Sequence, residues 1–134
     1  MEQLFSEYKN TMLQLKLNYP KTEFIHVTIP LKIVQTGPRA WIKKIIGRPI
    51  GGYEDNIKRN EFNKLLRTAY HEKEPVFDLA LVESTYSNGS RQKFQYNSGD
   101  YYALIPEYSH DGRHLNEVGR KKVAEQLLIS LANL

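Results

Sequence analysis

Two short runs of apolar and β-branched residues, each preceded by a helical pattern, restrict this chain more than any other feature. Phe24-Ile25-His26-Val27-Thr28-Ile29 is apolar or β-branched at nearly every position and stops at Pro30. That is the pattern of a strand covered on both faces, as in a parallel sheet. Val76-Phe77-Asp78-Leu79-Ala80 predicts a second, shorter strand. Ahead of the first run, Leu4, Tyr8, Met12 and Leu15 recur at spacings of three and four. They predict a core-facing helix over 3–18 that ends at Asn18-Tyr19-Pro20. Ahead of the second, Ile57, Phe62, Leu65, Leu66 and Ala69 predict a helix over 54–71. Helices alternating with strands of this kind imply an α/β domain with a parallel sheet.

Between these units lie residues 30–53, which hold three prolines, four glycines and the only tryptophan. A stretch of that length is too long for a simple connection and reads as a functional insertion, such as a lid. Residues 91–96 and 101–105 flank Asn97-Ser98-Gly99-Asp100, whose glycine and small polar residues suit the positive φ angles of a hairpin turn. Val118, Val123, Ala124, Leu127, Leu128 and Leu131 predict a C-terminal helix, capped by Asn116. The order resembles the back half of a doubly wound α/β domain. Two short strands make a poor sheet, so a missing segment or another subunit is expected to complete the layer.

With 134 residues, 40% hydrophobic and 25% charged, the chain reads as a single folded domain, 1–134. The net charge of +4 is a weak argument for nucleic acid, and none is expected as a partner. One basic run, residues 39–48, mixes Arg39, Lys43, Lys44 and Arg48 with Trp41 and isoleucines. It suits a solvated lid, or alternatively a phosphate backbone, a lipid surface or an acidic sugar. The absence of cysteine excludes disulfides, thiolate metal sites and cysteine nucleophiles. The N-terminal residues lack the pattern of an export signal, and no run approaches the roughly 18 apolar residues of a membrane span. As given, the chain is expected to be soluble, with its compartment undetermined.

The chemistry concentrates in Asp111-Gly112-Arg113-His114-Leu115-Asn116, just ahead of the last predicted helix. A carboxylate three residues before an imidazole can hold the proton on one ring nitrogen. The other nitrogen is then free to take a proton from a serine hydroxyl, and the carboxylate stabilises the resulting imidazolium. Taken alone, the same residues also describe a turn followed by a capping or packing histidine.

The chain resembles the C-terminal half of the SGNH hydrolases, also called the GDSL esterase family. The likeness runs through the first helix to Tyr19-Pro20-Lys21-Thr22, the run from Phe24 with Pro30, the run from Val76, and above all the Asp111 block with its following Gly119. The resemblance implies a flavodoxin-like three-layer α/β/α fold lacking its N-terminal strands. It implies serine ester hydrolysis, by an esterase, lipase or O-deacetylase or a truncated piece of one, with His114 as general base and Asp111 as its orienter. Its substrate would be an ester, or an O-acylated small molecule or carbohydrate, and no cofactor or metal is implied. Trp41 and Tyr108 are the candidate substrate contacts.

The Gly-Asp-Ser and Gly-x-Asn-Asp blocks of the family are absent. Ser98-Gly99-Asp100 has reversed order, and Asp55-Asn56 lacks the required glycine. Ser84, Ser87, Ser90 and Ser109 are the internal serines weighed as substitutes. His110 and His114 with Asp111 are weighed as metal ligands, and His26 and His71 as structural histidines. The alternative function is a noncatalytic binding or assembly module, in which the basic insertion and the tyrosines near Asp111 hold a glycan or protein partner. A homo-oligomer, or a preceding segment, would complete the sheet.

Overall fold

The computed structural model describes all 134 residues as a mixed α/β chain. Its elements are α1 (Glu2–Asn18), β1 (His26–Val27), α2 (Pro38–Ile45), α3 (Tyr53–Tyr70), β2 (Val76–Phe77), α4 (Leu79–Ser84), β3 (Lys93–Tyr96), β4 (Gly99–Tyr102), a 3₁₀ turn (Pro106–Tyr108) and α5 (Glu117–Ala132). β1 and β2 pair in parallel, with His26 opposite Val76 and Val27 opposite Phe77. β3 and β4 form a separate antiparallel hairpin.

The strands are shorter than the sequence predicts, for local reasons. Asp78 accepts from the Leu81 N–H at 3.1 Å and so caps α4, which turns Leu79 and Ala80 from strand to helix. β1 is buried on one face only: His26 and Thr28 point inward and Val27 is exposed. In the hairpin, the two-residue turn is Asn97-Ser98, both with positive φ, as a type I′ turn requires. Gly99 lies already in β4, opposite Tyr96, so the turn occupies only the first two of the four expected residues and does not use the glycine for its positive φ.

Only 22 residues are buried, and all the apolar ones except Ala40 and Phe77 fall into three small clusters rather than one core. The N-terminal cluster joins Phe5, Phe62, Leu66 and Tyr70. Phe5, not Leu4, is the buried residue of α1, while Leu4, Leu13 and Leu17 face out. On α5 the expected core face is likewise largely uncovered, with Val118, Leu128 and Leu131 exposed and Gly119 alone buried. A second layer that would bury these residues is not part of the fold seen here.

What the small core does not supply, buried polar side chains do. Asn56, Asn60 and Asn63 form a stripe on one face of α3, at helical spacings of four and three. Asn63 accepts from the Ile29 N–H at 2.7 Å and donates to the Ile29 carbonyl at 2.9 Å. Asn56 does the same to Lys32, at 2.9 and 2.7 Å, and Asn60 to Tyr102, at 3.1 and 2.9 Å. Each carboxamide thus replaces one residue of a neighbouring strand. The first part of the expected insertion is therefore structural. Residues 28–35 run extended between α3 and residues 103–105, with Leu31 and Val34 buried and the Leu104 N–H donating to the Lys32 carbonyl at 3.1 Å.

Two acidic anchors complete this frame, one ion-paired and one buried without a cation. Arg67 reaches Asp78 through two bonds of 2.7 Å. Burial alone would raise the Asp78 pKa, but the Arg67 pairing and the Leu81 and Thr28 bonds outweigh it and hold it below the usual range. Glu83 is buried and accepts from the Leu31 N–H at 2.7 Å with no cation paired to it. Desolvation pushes its pKa up to about 7.

Asn63→Ala strands the N–H and carbonyl of Ile29 and is expected to cost about 2–4 kcal/mol in urea unfolding. A loss below about 0.5 kcal/mol would remove the stripe from its structural role. The raised Glu83 pKa makes the native state bind a proton the unfolded chain has released, so stability falls as pH rises from about 4.5 to about 7 and levels off above. Glu83→Gln is expected to flatten that fall, as read from unfolding midpoints across the same interval.

Candidate functional site

Asp111 and His114 sit on a loop pinned at both ends. Ser109 and Leu115 form an antiparallel bridge, and the Asn116 N–H donates to the Tyr108 carbonyl at 2.8 Å. The Asn116 side chain donates to the Glu107 carbonyl at 2.8 Å and accepts from the Gly119 N–H at 3.0 Å, capping α5 as expected. Gly112 takes φ +80, a conformation only glycine adopts without strain. Its carbonyl accepts from the Ile33 N–H at 3.0 Å, tying the loop to the extended segment 28–35.

Asp111 is the centre of the loop's hydrogen bonding. Oδ1 accepts from the backbone N–H groups of Arg113 and His114, both at 2.8 Å, and from the Ser109 hydroxyl at 3.2 Å. Oδ2 lies 2.6 Å from His114 Nδ1. The backbone bond from His114, the ring contact and the Arg113 bond together hold the Asp111 carboxyl well below the usual carboxylate range. An ionised carboxylate can only accept, so His114 carries its proton on Nδ1. In the neutral ring this leaves the lone pair on Nε2, which has no protein partner, on a side chain 84% exposed. This is the arrangement a general base requires.

Asp111 and His114 line an open groove of about 440 Å³, together with His110, Asn116, Glu117 and Arg120 among others. No serine faces it. Ser109 Oγ accepts from the Gly112 N–H at 2.9 Å while donating to Asp111, so it builds the turn. Ser84 is buried at the end of α4, where it donates to the Ala80 carbonyl at 2.6 Å and accepts from Arg91. It does not follow a strand, as the sequence reading has it. Ser90 bonds to Asn88 in a tight turn. His110 borders the groove, and no group of three side chains able to hold a metal forms anywhere in the chain.

The two candidate substrate contacts lie elsewhere. Tyr108 is buried among Leu31, Ala80, Leu104 and Ile105, so it packs the floor beneath the loop instead of lining the groove. Trp41 is exposed on α2 and is not among the groove residues. Several tyrosines the sequence places near Asp111 are hairpin packing: Tyr101 stacks on Phe94, and Tyr102 lies 3.3 Å beneath the Arg91 guanidinium. The lining by Glu117 and Arg120 was not read from the sequence, though both fall in the first turn of the predicted final helix.

His26 is the opposite kind of histidine. It is fully buried, stacked on Tyr70 at 3.7 Å, with Nε2 2.8 Å from Glu74 and Nδ1 2.6 Å from the Tyr8 hydroxyl. The Lys16 and His26 bonds hold the Glu74 carboxyl below the usual range, so Nε2 donates to it, and in the neutral ring Nδ1 accepts from the Tyr8 hydroxyl. Both nitrogens are used, which leaves nothing for chemistry. His71, by contrast, is exposed at the end of α3.

No protein-family model, curated protein or solved structure matches the chain.

Two outcomes follow from this geometry. Asp111→Asn presents an amide N–H to Nδ1 and is expected to move the neutral ring to the Nε2–H form, as read from two-bond ¹H–¹⁵N correlations. An unchanged tautomer would mean that Asp111 does not set it. A Cβ at Gly119 would stand 2.8 Å from the Tyr108 carbonyl oxygen and 2.9 Å from its Cβ. Gly119→Ala is therefore expected to destabilise the fold by about 1–3 kcal/mol despite its better helix propensity, and to shift the His114 resonances.

Proposed function

We propose that this chain carries the base-and-orienter half of an SGNH-type serine ester hydrolase. The observation that supports it most directly is the His114 Nε2 lone pair, set by Asp111 on a side chain that lines a groove large enough for an ester group. In the proposed reaction, His114 takes the proton of a serine hydroxyl as it attacks the ester carbonyl. It then returns that proton to the leaving alcohol, and repeats the cycle with water to release the acid. Asp111 stays ionised throughout and stabilises the imidazolium.

The serine and the oxyanion donors are proposed to come from a segment outside these residues, within the flavodoxin-like α/β/α layering the resemblance implies. The two-stranded β1–β2 sheet has unpaired edges on which such a segment could add strands, and the uncovered apolar faces of α1 and α5 would gain a layer. An ester or O-acetyl group on a small molecule or carbohydrate is the proposed substrate class.

The test is hydrolysis of a short-chain nitrophenyl ester by the gene product that includes any coding sequence in frame upstream of Met1. Expected are a Gly-Asp-Ser block in that sequence, turnover, and losses of roughly 10⁴-fold in kcat for both His114→Ala and Asp111→Asn. The 134 residues alone should match their His114→Ala variant. Turnover by the longer product that survives His114→Ala would overturn the proposal, as would a stop codon close upstream with no activity above background.

A further inference from the structure

α2 stands apart from every other element of the fold. It is the most strongly amphipathic of the longer helices, yet its apolar side faces solvent. Trp41 is 66% exposed, Ile42 51%, Ile45 62% and Ile46 56%. At about 100° per residue these four side chains fall within an arc of roughly 140°. Ala40, the only buried residue of the helix, lies on the opposite side and makes the contact with the body of the protein.

The charges are arranged around that arc. Arg39 and Lys44 flank it on either side, and Arg48 follows the helix. Between Glu23 and Glu54 the chain has five cations (Lys32, Arg39, Lys43, Lys44 and Arg48) and no acid. Lys32 pairs with Asp55 and Lys43 bonds to Gln35, whereas Arg39, Lys44 and Arg48 form no ion pair. A helix held by a narrow small-residue face, with Trp and Ile directed outward and unpaired cations at the margins, has the design of an interfacial helix.

We propose that α2 and the loop after it bind the surface of an anionic lipid bilayer, with Trp41, Ile42, Ile45 and Ile46 entering the boundary between headgroups and acyl chains. Arg39, Lys44 and Arg48 then meet lipid phosphates. Lys44 and Arg48 also line a cleft of about 880 Å³ between this loop and the tip of the β3–β4 hairpin, with Glu54 as the one acid in its lining, which gives a headgroup a seat between the two cations. A second copy of the chain is a poor occupant, because a two-fold contact through α2 would set these cations against their own copies. A single tryptophan at one edge of the exposed arc, on the side toward Lys44, fits the headgroup level of a membrane, where its amphipathic ring is favoured.

Trp41 is the only tryptophan, so tryptophan emission, excited selectively over the nine tyrosines, reports on this face alone. The full chain is titrated with vesicles of phosphatidylcholine containing roughly a third phosphatidylglycerol, and with pure phosphatidylcholine. Expected are a blue shift, co-sedimentation, an affinity at least about tenfold higher for the anionic vesicles, and reversal by salt. Ile42→Glu with Ile45→Glu should abolish binding with the far-UV circular dichroism unchanged, since both positions are exposed. Lys44→Glu with Arg48→Glu should remove the preference for anionic lipid. Absence of vesicle binding, equal affinity for both vesicles, or a blue-shifted dimer without lipid would each overturn the proposal. A blue shift of equal size with a short DNA duplex would overturn it in favour of a nucleic-acid face. None of these readouts depends on ester hydrolysis.

Discussion

The pairing of asparagine carboxamides on α3 with the backbone of neighbouring segments is the interaction on which this structure depends. A two-stranded parallel sheet leaves most of its N–H and C=O groups without strand partners, and buried backbone groups left unpaired are costly. Asn63 and Asn56 supply both missing partners at Ile29 and Lys32, and Asn60 does so at Tyr102. The helix thereby acts as a strand toward the segment it covers. Small apolar clusters suffice because these amides, the Arg67–Asp78 pair and the buried Glu83 carry the long-range connections.

The candidate site inherits its rigidity from that frame. Asn56 holds Lys32, the next residue donates to the Gly112 carbonyl, and Gly112 opens the turn in which Asp111 accepts from two backbone N–H groups. Asp111 is therefore fixed before it meets His114. The two histidines most ordered by hydrogen bonds show how environment divides their roles. Around His26 both ring nitrogens are consumed by Glu74 and Tyr8 inside the protein, whereas around His114 one is consumed and the other is presented to solvent. The same side chain is a structural post in one place and a candidate base in the other.

Two outward-facing features divide the molecule's surface. The uncovered faces of α1 and α5 lie on the elements that a layered α/β domain would sandwich against further strands, and they are apolar without a cationic margin as dense as that of α2. α2 is apolar and acid-free at once, and it is carried on a loop that leaves the body at Gln35 and returns at Gly51, where the two segments bond at 2.9 Å. Its closure at that neck lets the helix project without disturbing the extended segment that supports the Asp111 loop.

The three long helices, the hairpin, the Asn116 cap and the proximity of Asp111 to His114 were legible in the sequence, because each depends on residues within a few positions of one another: spacing, turn chemistry and capping are local. The short helices α2 and α4 were not, since the first reads as part of an irregular insertion and the second as the end of a strand. Strand ends were misjudged where a cap competes with β-propensity, as at Asp78. Burial was misjudged wherever it depends on what lies opposite, as for Leu4, Val27 and the face of α5. Tertiary structure alone decided that Asn56, Asn60 and Asn63 pair with distant backbone, that Tyr108 supports the loop from below, that no serine meets His114, and that Trp41 points away from the fold. An asparagine reads the same in a sequence whether it faces water or a buried strand. Only the segment brought against it, from 24 to 42 residues away, determines which it does.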